Sequence, residues 1–247
     1  MANYIILGII QGLTEFFPVS SSAHLVIMQK ILGMDSGQLA TSIVLHLGTI
    51  LALCIFFFRD IIEALFNLKL ILFIIVVTAI TGAIGISGKD FFTGLFSQTT
   101  PVAIALLVSG IILILTSRFM AAERNNVGFK DAFILGITQG IAIIPGISRS
   151  GITISTLLFR KVNRETAFRI SFLASIPAVA GAALLEAKDI GFALKGNFTE
   201  LAVGSIFSLF TGLISLWVLK LVLRRAKLYY FGYYCIIVAV ITLIFIR

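Results

Sequence analysis

The chain has 247 residues, of which 59% are hydrophobic and only 12% charged, with a mean hydropathy of +1.11 and a formal charge of +8. A soluble domain of this length needs far more polar surface, so the composition excludes a soluble globular protein and predicts a polytopic membrane protein. The basic excess then reads as a topology signal with some attraction to anionic lipid, not as a nucleic-acid footprint.

The first residues lack the basic start, short apolar core and small-residue cleavage site of a removable signal peptide, and are expected to belong to the fold. Two apolar pieces follow, at 4–17 and 21–33, on either side of Pro18. Each falls short of the roughly 17 to 25 residues that a crossing helix needs, so the pair is expected to form a re-entrant helical hairpin. Proline lacks the donor a continuous helix requires, and the serines beside it favour a turn. Spans are predicted at 39–58, 68–87 and 101–118. A second short pair, 132–144 and 149–160, flanks Pro145, and spans at 168–186, 200–222 and 229–246 complete the chain. The 22 Phe are expected to face lipid or pack between helices. Cys54 and Cys235 lie in apolar runs and read as small buried hydrophobes, with neither a disulfide framework nor a metal cluster suggested.

The loops at 59–69, 118–130, 160–169 and 220–227 carry most of the Lys and Arg, whereas the opposite side has only Lys30, Lys89, Lys188, Lys195 and Arg247. This asymmetry places those loops in the cytoplasm and both termini outside. Glu63, Glu123, Glu165, Glu186 and Asp189 fall near predicted loops or helix ends and read as solvated.

The words Leu7-Gly8-Ile9-Ile10-Gln11-Gly12 return as Leu135-Gly136-Ile137-Thr138-Gln139-Gly140, an offset of 128 residues, about half the chain. The expected fold is therefore all-α, a single membrane domain of two repeats, 1–120 and 128–247, each a re-entrant hairpin plus three transmembrane helices. Three spans is an odd number, so the second repeat inserts upside down and the hairpin tips can meet near the midplane, the usual place for a site in such proteins.

Each repeated word leads into a polar motif: Gln11-Gly-Leu-Thr-Glu15-Phe-Phe-Pro18-Val-Ser20-Ser21-Ser22-Ala23-His24, and Pro145-Gly146-Ile-Ser148-Arg149-Ser150-Gly151. Such groups are costly at membrane depth, which points to a functional site. Ser20, Ser21 or Ser22 suits the N-cap of the helix at 21–33, and Ser148 or Ser150 that of the helix at 149–160. Two helix N-termini would then turn free N–H groups and positive dipole ends toward one pocket fit for an anion such as phosphate. Arg149 offers a planar fork that matches phosphate oxygens bidentately. Glu15 shares a helix face with Gln11, where the two could hold a divalent cation or position a water. His24 can exchange a proton near neutral pH, and Ser21 is a candidate nucleophile beside such a base. Structural roles stand beside these: Glu15 with Arg149 as an ion pair locking the repeats, His24 as a capping or interhelical group, and Gln11 as a polar packing contact. His46 has no partner motif and reads as an interhelical hydrogen bond.

These two motifs resemble the signatures of the undecaprenyl-diphosphate phosphatases of the bacitracin-resistance type, and the likeness extends to His46-Leu-Gly-Thr-Ile-Leu-Ala52 and Ser171-Phe-Leu-Ala-Ser-Ile-Pro-Ala178. The resemblance implies an integral hydrolase of the bacterial inner membrane with its site reached from the outer face. It would remove the terminal phosphate of the polyprenyl diphosphate carrier and regenerate the monophosphate for cell-wall synthesis. It also implies a divalent cation, Mg or Ca, and places the catalytic or diphosphate-binding roles on Glu15, His24, Ser21 and Arg149, with Ser148 and Thr153 as neighbours; Ser20, Ser22, Ser150 and Gln11 join the candidate substrate-binding set. The first motif position, often Glu in that family, is Gln11, so a carboxylate there is not essential; Ala23 replaces a commoner Gly. The other large lipid-phosphatase class needs a histidine nucleophile downstream of a Ser-Arg motif, and no His follows His46. A polyprenyl-phosphate transporter could use the same anion pocket without hydrolysis, whereas a purely structural subunit leaves the polar groups unexplained. The nucleophile (Ser21, His24 or water) stays open, and a homodimer is a candidate assembly.

Overall fold

The computed structural model describes residues 1–34, 38–96, 98–119, 124–185 and 187–245, with the side chains of all but 38–40, 96 and 187–197 of these. The elements are α1 (Ala2–Phe16), α2 (Ser21–Ile31), α3 (Gln38–Phe56), α4 (Phe58–Leu65), α5 (Leu68–Ser87), α6 (Lys89–Phe96), α7 (Thr99–Leu115, continued by a 3-10 turn Thr116–Phe119), α8 (Phe129–Ile141), α9 (Arg149–Phe159), α10 (Arg164–Leu185), α11 (Ala187–Arg224) and α12 (Tyr229–Phe245). Among the described residues, four helical segments are long and apolar enough to cross a membrane: α5, α7 with its 3-10 turn, α10, and Phe198–Arg224 of α11. The bent pair α3 and α4 makes a fifth, and the apolar α12, at 17 residues, is shorter. Leu51, Ile55, Leu72, Ile75, Phe210 and Trp217 point outward from the bundle, more than half exposed. In water such a surface would aggregate; against lipid tails it is the expected outer face of a multi-pass membrane protein.

Three segments depart from the sequence expectation. The stretch 59–69, expected as a loop, holds α4, which turns 72° away from α3. Arg59, Asp60 and Glu63 share its eight residues with Phe58, Ile61, Ile62 and Leu65, a two-faced composition that suits a helix lying along the membrane surface. A second short helix, α6, occupies the connection before α7. The predicted span at 200–222 extends backward to Ala187, giving α11 a length of 38 residues, far more than the hydrocarbon core requires. Glu63 and Glu165 are exposed as expected but pair with Arg169 and Arg224 at 2.6 and 3.0 Å. Glu123 and Glu186, and the side chain of Asp189, lie outside what is described.

Helix α1 packs along α11 and α8 along α5; α3 lies against α11 and α10 against α5; α7 pairs with α12. These contacts map onto one another when α1, α3, α5 and α7 are exchanged for α8, α10, α11 and α12. The hydrogen bonds follow the same pattern, with Thr211 of α11 donating to the Ile9 carbonyl of α1 and Thr81 of α5 to the Gly136 carbonyl of α8. Gly12 permits the α1–α11 approach, since a Cβ there would run into the Ser208 carbonyl and the Thr211 side chain. At the centre, the rings of Phe16, Phe57, Phe168 and Phe172 pack against one another at centroid separations of 5.0 to 5.8 Å. They form a rigid wall behind the end of α1.

The foot of the α8–α9 hairpin is tied by a buried carboxylate. Asp131 receives Arg124 at 2.7 and 2.9 Å, Arg160 at 2.9 Å and the Gly128 N–H at 2.8 Å. Burial alone would raise its pKa, but the bonds from Arg124, Gly128 and Arg160 outweigh that effect and hold the carboxyl at about 2, below its ordinary 3.8. A depressed folded-state pKa stabilises above the unfolded value and loses that contribution as pH falls through the folded one, here between about 4 and about 2. Asp131→Asn is expected to lower stability in detergent by about 2 kcal/mol at pH 7, with the difference shrinking below pH 4. Thermal unfolding midpoints across pH check this.

Candidate active site

Two helical hairpins too short to cross a membrane meet tip to tip. In the first, α1 stops at Phe16 ahead of Pro18, and the chain turns through Ser20, whose φ of 65° is left-handed, into α2. In the second, α8 stops at Ile141, and the chain turns at Gly146, φ 100°, into α9. Only glycine fits that turn, because its conformation is left-handed and a Cβ would also meet Val102 and Ala105 of α7. Ser148 caps α9 as expected, accepting from the Gly151 N–H at 3.1 Å. Ser20 occupies the N-cap position of α2 but does not cap through its side chain; in its left-handed conformation its hydroxyl pairs instead with that of Ser22 at 3.1 Å.

Side chains bolt the tips together. The Gly146 N–H donates to Ser22 Oγ at 3.3 Å, and Ser150 Oγ donates to the Phe17 carbonyl at 3.3 Å. Each tip is also held by a helix of the opposite half. Ser109 of α7 donates to the Gly146 carbonyl and accepts from the Ser148 N–H, while Cys235 of α12, fully buried, donates its thiol hydrogen to the Pro18 carbonyl at 3.5 Å.

Glu15, 8% exposed, is the hub. Its Oε1 accepts from Arg149 at 2.7 Å, and its Oε2 accepts from Ser21 Oγ at 2.5 Å and Gln11 Nε2 at 3.1 Å. His46 Nε2 lies 3.2 Å from the same Oε2. Residues of both motifs thus meet at one carboxylate. The side chain of Arg149 remains about a quarter exposed, and only its Nη2 is engaged among the described residues, so the rest of its fork is available to a ligand.

The remaining candidates are placed as follows. His24 does not touch Ser21, because Ser21 turns to Glu15; Nδ1 of His24 donates to the Ser20 carbonyl at 2.8 Å, and Nε2 accepts the Tyr234 hydroxyl at 2.9 Å with the two rings stacked. Thr153 donates to the Arg149 carbonyl at 2.7 Å and exchanges a 2.5 Å hydrogen bond with Ser171 of α10. Glu15, Arg149, Ser150, Thr153, Ser171 and Ser175 supply polar walls to a small cleft, with Phe16, Leu53 and Phe172 as its apolar side. Ser150, Thr153 and Ser175 spend their hydroxyl hydrogens on the Phe17, Arg149 and Phe172 carbonyls and Ser171 bonds to Thr153, so the donor this cleft offers an anion is the guanidinium of Arg149.

A family model described as bacitracin resistance protein BacA matches residues 4–241. The chain belongs to this family. Among curated relatives named undecaprenyl-diphosphatase, that of Halothermothrix orenii is 41% identical, with 97% of this chain and 96% of the relative aligned. That of Carboxydothermus hydrogenoformans is 42% identical over 97% and 95%, and that of Thermotoga maritima 40% identical over 96% and 98%. Family membership thus spans both tips and every helix that supports them.

Four residues at the site were not among the sequence candidates: His46, Tyr234, Ser171 and Ser175. His46 makes the interhelical hydrogen bond expected of it, from α3 to Glu15 of α1; a lone imidazole in an apolar span and its place in the string 46–52 marked it, but neither named its partner. Tyr234 sits in an aromatic run on α12 with nothing to tie it to a motif 210 residues away. Ser171 and Ser175 were quoted only within a string that carried the resemblance, and their spacing of one helical turn puts both on the cleft.

Proposed function

We propose that this chain hydrolyses a polyprenyl diphosphate, undecaprenyl diphosphate by the names of its relatives, to the monophosphate and inorganic phosphate. The contact that carries this assignment is Ser21 Oγ donating to Glu15 at 2.5 Å while Arg149 holds the other oxygen of the same carboxylate. A hydroxyl held against a carboxylate, beside a guanidinium with free donors, is the pairing of nucleophile, base and anion holder that phosphoryl transfer needs. Carrying an anion across a membrane requires the guanidinium but no activated hydroxyl, and the relatives are named for hydrolysis, so transport is not favoured.

In the proposed reaction the free donors of Arg149 hold oxygens of the terminal phosphate. Ser21 Oγ attacks the terminal phosphorus as its proton passes to Glu15. A bond from phosphorus to Ser21 forms, the bond to the bridging oxygen breaks, and the polyprenyl monophosphate leaves. Water then cleaves the phosphoserine and frees inorganic phosphate. His24, one turn beyond Ser21 on α2, is the group suited to exchange a proton with that water at Nε2, which Tyr234 occupies in the free protein.

A divalent cation, Mg or Ca, belongs to this proposal. Gln11 Oε1 is fully buried and has no hydrogen-bond partner, but the amide presents its Nε2 to Glu15, so it would have to turn over before Oε1 and the carboxylate could serve together as hard oxygen donors. Among the described residues no group of three His, Cys, Asp or Glu gathers there, so Glu15 and Gln11 would hold the ion together with phosphate oxygens and water. When bound, the cation would neutralise charge on the diphosphate.

The repeats 1–120 and 128–247 are proposed to be inverted, supported by the helix pairings that exchange between halves and by the odd number of spans in each. The basic loops support an inner-membrane orientation with both termini outside and the site open to the outer face. The deciding experiment measures phosphate release from a polyprenyl diphosphate by protein purified in detergent, with Mg or Ca and with chelator. Cation-dependent release is expected; no release from well-folded protein would remove the hydrolase assignment and leave transport in its place.

A further inference from the structure

We infer that His46 is a positioning residue for Glu15, and that it acts as a hydrogen-bond donor clamped between two helices. The inference rests on the hydrolase assignment and adds a third element to its site. His46 lies in the middle of α3, outside both motifs. Its Nδ1 faces the Ser42 carbonyl one turn earlier at 2.7 Å, and its Nε2 faces Glu15 Oε2 at 3.2 Å. A carbonyl and a carboxylate only accept, so both ring nitrogens are donors in this arrangement. The Ser42 contact fixes the tilt of the ring, and with it the point in space where Nε2 presents its hydrogen.

That point matters because of how Glu15 is loaded. Oε1 has one donor, Arg149, from the second tip; Oε2 has three, Ser21, Gln11 and His46. Gln11 is on the same helix as Glu15, and Ser21 is the reacting hydroxyl, so neither can fix the carboxylate plane against the scaffold during reaction. His46 can, because α3 packs against both α1 and α11. With Arg149 pulling one oxygen and His46 the other, the carboxylate cannot rotate away when Ser21 gives up its proton. Without His46 the carboxylate can turn toward Arg149, and a displacement of an ångström at a base costs on the order of a hundredfold.

The role is separable from bulk and from the ring itself. Glutamine places its Nε2 as many bonds from the backbone as histidine does, and so restores one donor at the same reach. Methionine has similar length with no donor, and asparagine has a donor that falls short. The experiment measures kcat and KM for polyprenyl diphosphate with wild type, His46→Gln, His46→Met and His46→Asn side by side, with thermal unfolding of each in detergent. The expected result is a fall in kcat of about ten- to a hundredfold for Met and Asn, KM within about threefold because His46 does not touch the phosphates, and recovery of kcat to within about threefold of wild type in Gln. Should Met fail to fold, the contrast between Gln and Asn decides. A Gln variant as slow as Met or Asn overturns the donor role, and so does a well-folded Met variant as fast as wild type. If wild type itself releases no phosphate, the hydrolase assignment fails and takes this one with it; loss of the His46 effect in an active enzyme touches this one alone.

Discussion

Replacing Arg149 by Ala is expected to lower kcat/KM for phosphate release about a thousandfold or more, and Arg149→Lys is expected to recover only a small part of it. Among the described residues Arg149 is the one cation that joins the two tips at Glu15, and its planar fork can hold the carboxylate and a phosphate oxygen at once. Lysine is a point charge on a flexible stem and can satisfy one of these but not both in a fixed geometry. Removing the guanidinium also takes from buried Glu15 one of the two positive groups that face it, the doubly protonated His46 remaining, so the destabilisation is expected to fall below the roughly 3 to 5 kcal/mol of a buried charge left wholly unpaired. Kinetics and unfolding are therefore measured on the same preparations. A loss of kcat/KM in Arg149→Lys with a near wild-type unfolding midpoint assigns the effect to phosphate recognition; full activity in that variant would remove Arg149 from the reaction.

Ser21→Ala and Glu15→Gln are each expected to reduce kcat by about two to four orders of magnitude, and the double variant is expected to fall no further than the slower single one. Ser21 Oγ and Glu15 Oε2 share one hydrogen bond at 2.5 Å and, in the proposed reaction, one proton, so they act as a unit. Glu15→Gln preserves the shape of the side chain and an oxygen for Arg149 while removing the base. Additive losses in the double variant would show that the two residues act in separate steps. A Ser21→Ala enzyme with normal kcat would assign the attack to water, with Glu15 as its base.

Several features of the architecture were legible because they are written in local chemistry. Short apolar pieces around Pro18 and Pro145 became α1, α2, α8 and α9 with ends within a few residues of those predicted, since chain length against membrane thickness and a missing proline donor are properties of the segment alone. The Gly12 and Gly140 words each sit where helices pack closely, Gly12 against Ser208 and Thr211 of α11 and Gly140 against Ile84 of α5. Glu15, Ser21 and Arg149 stood out for a different reason: a carboxylate, a hydroxyl cluster and a guanidinium are costly in apolar sequence, and the structure brings the three together. By contrast, α4 and α6 were missed because a short helix of mixed polar and apolar residues has the composition of a loop. His24 was assigned to Ser21 on proximity in sequence, but the left-handed turn at Ser20 sends the Ser21 hydroxyl to α1 and the imidazole to α12.

From its residues alone, then, this chain determined its solvent, its all-helical class and the two short helix pairs around Pro18 and Pro145, all of which depend on contiguous sequence. The tertiary structure decided which groups meet: Arg149 across 134 residues to Glu15, Tyr234 across 210 to His24, and His46 from α3 to the same carboxylate. Such contacts depend on how rigid helices cross, and small shifts in a crossing angle or a tip conformation change the partner of a side chain without leaving any mark in the local sequence.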